Sequence, residues 1–183
     1  MWSKRLVFVA VAGLLVTCFP ALAGAERTAA TSCADPELPA AILDGPPAAH
    51  AASELRTISV TAPKATLTLA VADTDARREK GLMCVTALRS AGGMIFVFAK
   101  AAEYPFWMKD TLIPLDMLWV EADGHVTTIA AHVPASTLET PDDKVAQRTG
   151  KGKFVIELRA GGAASAGISA GDRLTLPRLA ASQ

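Results

Sequence analysis

Five successive apolar residues, Met94-Ile95-Phe96-Val97-Phe98, constrain this chain most. Side chains of an extended segment point alternately to opposite faces, so this stretch offers neither face to water. It therefore belongs at the centre of a sheet covered on both sides, and Gly92-Gly93 in front of it lets the backbone bend into place. Around it lie runs with period two: Ile58 and Val60, then Leu67, Leu69 and Val71 alternating with Thr66, Thr68 and Ala70, then residues 125–130. These read as strands with one buried face. Residues 104–109 and 112–121 read as two more strands, broken at Asp110-Thr111, with Pro114 marking an edge or a bulge. Residues 154–158 form another strand, and residues 171–176 a closing one.

Helical signals are few. Asp73 or Thr74 can cap a short helix that ends at Gly81, residues 162–166 suit a second before Gly167, and residues 40–43 suit a single turn. Residues 132–152 carry Pro134 and Pro141 without a sustained period, which reads as a long surface loop. The expected fold is mainly β, a compact sandwich or barrel-like domain over residues 56–177 with two or three short helices, followed by a tail at 178–183.

The N-terminus has a different character. Lys4 and Arg5 precede an apolar run to Phe19, and small residues follow at Ala21, Ala23 and Ala25. That layout is a secretory signal peptide over residues 1–23, cleaved after Ala23 or Ala25; a retained anchor and lipid attachment at Cys18 are the alternatives. Residues 24–55, rich in Ala and Pro, read as a flexible tail. The expected location is periplasmic or secreted, with membrane contact only through the signal segment before cleavage.

The whole chain has 18 Lys and Arg against 18 Asp and Glu, and losing Lys4 and Arg5 leaves 16 bases against 18 acids. No basic footprint for nucleic acid results. Export would leave Cys33 and Cys84 as the two cysteines in an oxidising compartment, a candidate disulfide. A reactive or metal-binding Cys84, or two unpaired residues, are the other readings.

The densest chemistry lies at Phe106-Trp107-Met108-Lys109-Asp110-Thr111, followed by Pro114-Leu115-Asp116. Asp116 has apolar neighbours on its own strand face and needs a partner, for which Lys109 is the cation nearest in sequence. Asp116 and Glu157 form a candidate acid and base pair for a glycosidase-like hydrolase, given a suitable separation. Met83, Met94, Met108 and Met117 suit a soft metal such as copper, but they lack Met-x-Met spacing or an adjacent His, so no metal and no cofactor are assigned. The catalytic residues stay unassigned. Trp107 and Tyr104 beside Lys109 and Asp116 offer an aromatic platform flanked by polar groups, which favours a binding or accessory protein of the cell envelope over an enzyme. The partner would be an envelope ligand or protein of unspecified identity. The candidate ligand-binding or structural cluster is Arg77, Met83, Trp107, Lys109, Thr111, Asp116 and Glu157.

Several separated motifs share one further property. Arg77 with Gly81-Leu82-Met83, Gly93-Met94-Ile95-Phe96, the stretch from Phe106 to Thr111 with Pro114-Leu115-Asp116, Asp123-Gly124, Glu157-Leu158, Gly167 and Gly171-Asp172 together resemble the exported domain-of-unknown-function family 192. The resemblance spans about residues 65–176. It implies a compact, mostly β domain behind a signal peptide and supplies no reaction, substrate or cofactor. The family usually places Asn where Asp110 stands.

Overall fold

The computed structural model describes residue 33, residues 38–44 and residues 55–181. The signal-peptide reading of residues 1–23 lies outside the described residues. Six strands form one sheet: β1 (Thr57–Thr61), β2 (Thr66–Ala72), β3 (Gly92–Trp107), β4 (Leu115–Val120), β5 (Val126–Val133) and β6 (Gln147–Arg159). Their spatial order is β1-β2-β3-β6-β4-β5, and the sheet does not close into a barrel. All pairings are antiparallel except β2 with β3. That parallel step needs a crossover, and residues 73–91 provide it through α1 (Asp75–Lys80). The mainly β expectation holds, as one sheet with two covered faces and, among the described residues, two short α-helices.

Burial follows the sequence pattern. Residues 94–97 and all six residues of β4 are buried, and these strands lie inside the sheet, while the edge strands β1 and β5 are mostly half-buried or exposed, β5 being buried only at its two ends. One face packs Leu69, Ile95, Leu118 and Ile156 beneath α2 (Gly162–Ser165) and Ile168. The other packs Met94, Phe96, Met117, Trp119 and Val155 beneath Leu82, Val85 and Leu88 of the crossover. Thr74 caps α1 by accepting from the Arg77 N–H, and Gly81 ends it at φ 47°.

Three segments depart from the sequence expectation. Residues 38–44, read as part of a flexible tail, bury Leu38, Ile42 and Leu43 on the second face, and Leu43 makes an isolated bridge with Leu88. The three apolar side chains outweigh the Ala- and Pro-rich composition around them. Residues 147–152, expected in a loop, begin β6 and pair with residues 102–107 of β3. Polar residues suffice there because Gln147, Arg148 and Thr149 face solvent. The expected closing strand at 171–176 makes only single bridges, Thr175 with Thr61 of β1 and Arg173 with His125 beside β5. No described helix is long and apolar enough to cross a membrane.

Cys33 and Cys84 are joined by a disulfide with a Cα–Cα distance of 5.3 Å. It ties Cys33 to the part of the crossover that follows α1. Closing a loop of sequence separation 51 corresponds to about 4 kcal/mol on the chain-entropy account.

Candidate functional site

The site starts from a bend. The pairing of β3 with β6 shifts register between Val97 and Ala102, and beyond that irregularity the phenylalanines of β3 meet one another. Phe106 stands edge-on to Phe96, with centroids 4.8 Å apart, and edge-on to Trp119 at 6.1 Å. The outer half of β3 is thus turned back over the second face of the sheet. Trp119 completes this layer: it is fully buried, donates its indole N–H to the Tyr104 carbonyl at 3.0 Å, and occupies the space that a side chain at Gly150 would need. Tyr104 stacks on Phe98 rather than standing free.

After β3 the chain makes a turn through residues 108–111 that three separate segments pin. The Met108 N–H donates to the Ala146 carbonyl, the Met108 carbonyl accepts from the Ser136 hydroxyl, and the Asp110 carbonyl accepts from the Cys84 N–H at 2.8 Å. Asp110 sits at φ 50°, a left-handed conformation that Asn and Asp both tolerate, which accounts for either residue at this position. The pinned turn presents Lys109 and Thr111. The Lys109 ammonium bonds Asp142 Oδ1 at 2.5 Å, and that hydrogen bond raises its pKa above the usual lysine value.

Between this turn and the end of α1 lies a narrow cleft of about 30 Å³. Met83 and Leu82 line one side and Trp107, Lys109 and Thr111 the other, with Phe96 and Glu157 contributing from the sheet. Trp107 is 49% exposed. Glu157 is 4% exposed, and its carboxyl has no hydrogen bond or ion pair among the described residues. Burial alone pushes its carboxyl up to about 8, so it is neutral and protonated at pH 7.

Five of the seven cluster residues therefore come together: Met83, Trp107, Lys109, Thr111 and Glu157. Arg77 and Asp116 do not join them. Arg77 pairs with Asp73 at 2.8 Å, and Asp116 belongs to the other face of the sheet. Its carboxylate is 1% exposed and accepts two backbone N–H bonds, from His132 at 2.9 Å and from Ala163 of α2 at 3.0 Å. His132 stands at φ 53° where two residues of β5 face one of β4, and this bulge aims its N–H at the carboxylate.

Two sequence expectations are corrected by this geometry. Lys109 is not the partner of Asp116, because Asp142 takes the ammonium and two backbone amides take the carboxylate. Asp116 and Glu157 are not an acid and base pair. Asp116 pairs in register with Leu158 and Met117 with Glu157, so the two carboxyls stand one residue out of phase and point to opposite faces. Reading residues singly missed His132, Ala163 and Asp142, since backbone donors and loop partners carry no local pattern. In a wider groove lined by Glu121, Asp123, His125 and Arg173, Arg173 pairs with Asp123 at 2.7 Å. The His125 N–H lowers the Asp123 pKa there.

A model of the DUF192 family, described as an uncharacterized ACR, matches residues 57–176, more than half of the 183. The chain belongs to the DUF192 family. The match begins at β1 and ends at the C-terminal bridges, so the DUF192 core contains the whole sheet and every residue of the cleft. Two solved structures are similar. A protein of unknown function from Novosphingobium aromaticivorans DSM 12444 is 33% identical, with TM-score 0.57 over 69% of this chain and 90% of its own. A candidate transcription regulator from Sinorhizobium meliloti 1021 is 32% identical, with TM-score 0.55 over 66% of this chain and 94% of its own. No curated protein matches.

Proposed function

We propose that this DUF192 chain is an exported binding or accessory domain of the cell envelope, and that its ligand is taken at the cleft above Glu157. One observation carries the reading. Glu157 is a buried carboxyl without a partner in a cleft with the exposed Trp107 at its side, whereas a purely structural acid in a core is expected to be hydrogen-bonded, as Asp116 is. The cleft admits about one water-sized group, so a larger ligand would seat only a tip inside and rest its body on Trp107. Export is supported by the layout of residues 1–23 and by the Cys33–Cys84 bridge, which suits an oxidising compartment. The hydrolase reading loses its support with the separation of Asp116 from Glu157 onto two faces. The regulator label of the Sinorhizobium relative is not extended to this chain, whose balanced charge lacks a footprint for phosphate backbones.

The test is a thermal-shift screen of the purified protein against envelope saccharides and peptides, because a ligand that binds the folded state raises its melting temperature. Stabilisation that disappears in Trp107→Ala and in Glu157→Gln is expected. Stabilisation that survives both substitutions places the ligand elsewhere and ends this reading. Recovery of the protein wholly from the cytosol on fractionation ends the export part.

A further inference from the structure

The cleft beside Glu157 is lined by bases. Arg78 and Lys80 reach it from α1 and Lys109 from the pinned turn, and Glu79 is the other acid of the lining. Among the described residues none of the three bases pairs with Glu157: Arg78 holds Asp75, Lys109 holds Asp142, and Lys80 has no ion pair. Asp75 and Asp142 are exposed, so exchanging either for a carboxylate of a ligand costs little. Arg78 would stay in place through such an exchange, because it also donates to the Val97 carbonyl at 2.7 Å and lies over the Phe98 ring.

The sheet side of the cleft has the complementary need. A neutral Glu157 carboxyl is an O–H donor that lacks an acceptor, and Thr111 spends its own hydroxyl hydrogen on the Lys109 carbonyl at 3.1 Å. An acceptor held between Glu157 and the bases would meet donors from both sides, whereas an amine would meet three like charges. About 30 Å³ admits a terminal group and excludes a ring. Trp107, half exposed, supplies a flat apolar face at the side of the cleft on which a ring can rest.

The geometry points to a carboxylated saccharide of the uronate type as the ligand: its carboxylate enters between the Glu157 carboxyl and the bases Arg78, Lys80 and Lys109, and its sugar ring lies on Trp107. This rests on the binding reading above and adds a ligand class for the same cleft. No covalent bond forms or breaks, and Glu157 keeps its proton while donating it. Binding therefore needs a ligand that has lost its proton, above about pH 4, and a Glu157 that has kept its own, below about pH 8. The charged groups facing Glu157 are Arg78, Glu79 and Lys80 of α1 and Lys109 of the turn. In the sheet its register neighbours are Met94 and Met117, and Arg159, two residues on along β6, is exposed and outside the lining.

The probes are sodium glucuronate, glucose and glucosamine, which share a pyranose ring and differ in charge. NMR titration of the purified protein near neutral pH is expected to show glucuronate bound about tenfold more tightly than glucose, and glucosamine more weakly than either. Glucuronate affinity is expected to fall about tenfold per pH unit above pH 8. Lys80→Met and Lys109→Met are each expected to weaken glucuronate about threefold and to leave glucose unchanged. Glu157→Gln replaces the O–H with an amide donor that makes longer bonds to an anion, and is expected to weaken glucuronate about tenfold and remove the fall above pH 8. Lys153→Met, outside the cleft, is expected to change nothing. No glucuronate binding, tighter binding of glucosamine, or an affinity that rises with pH overturns the proposal. Acetylglycine, a peptide-like carboxylate without a sugar ring, overturns the saccharide assignment if it binds as tightly as glucuronate. A neutral sugar that binds as well as glucuronate, and is lost in Trp107→Ala and Glu157→Gln, leaves the wider binding reading standing while the carboxylate assignment falls.

Discussion

Asp116 and Glu157 occupy adjacent strands one residue out of step, both almost fully buried, and they have opposite surroundings. Asp116 receives two backbone N–H bonds, one from a bulge and one from a short helix. Glu157 receives none and is flanked by methionines. Burial is therefore the same for both, and what differs is whether donors arrive. Where they do, the carboxylate serves the fold, fastening α2 and β5 to the sheet; where they do not, burial keeps the group neutral.

The sharpest way to break this contrast is to titrate stability. An unfolded Glu157 ionises near 4.5, and the folded one holds its proton to about 8. Between those values the unfolded chain binds fewer protons, so stability falls as pH rises; below 4.5 and above 8 the contribution is level. The full window corresponds to about 5 kcal/mol at about 1.4 kcal/mol per pH unit. Denaturant melts of the native protein and of Glu157→Gln across this range are expected to differ by that slope, and parallel curves refute an unpartnered acid.

Next in size is Asp116→Asn. The amide keeps one acceptor oxygen and turns its NH2 toward the other backbone donor, which costs about 2–4 kcal/mol in urea unfolding. A neutral outcome would mean that the two N–H bonds are not what holds the carboxylate. His132→Ala is expected to cost under about 0.5 kcal/mol, since the bond comes from the backbone and the imidazole is exposed. A larger loss assigns the imidazole a share. Smallest of all is Lys109→Met, expected to leave the melting temperature unchanged, because Lys109 pairs with the exposed Asp142 and not with Asp116. A substantial drop would restore Lys109 to the core.

Much of this architecture is legible in one dimension. The uninterrupted apolar run at residues 94–98 announced a central strand, alternation at residues 66–71 announced a strand, and the density of the stretch from Phe106 to Thr111 marked one wall of the cleft. Other parts were not legible. Residues 147–152 look like loop because their outward side chains need no apolar pattern once β3 pairs with them. Residues 38–44 look like tail because three buried side chains are hidden among Ala and Pro.

Local alternation determines that Asp116 and Glu157 each lie on a strand and that each has one face, because successive side chains of an extended chain must oppose one another. It does not determine that these faces differ. That depends on the register between β4 and β6, where a shift of one residue would bring both carboxyls to the same side. Nor does it determine which acid is satisfied, since the donors of Asp116 come from 16 and 47 residues away and are backbone amides that any residue but proline carries. The sequence by itself established a covered sheet with two acids in its interior strands; only the tertiary structure decided that one is fastened by backbone donors and the other receives none.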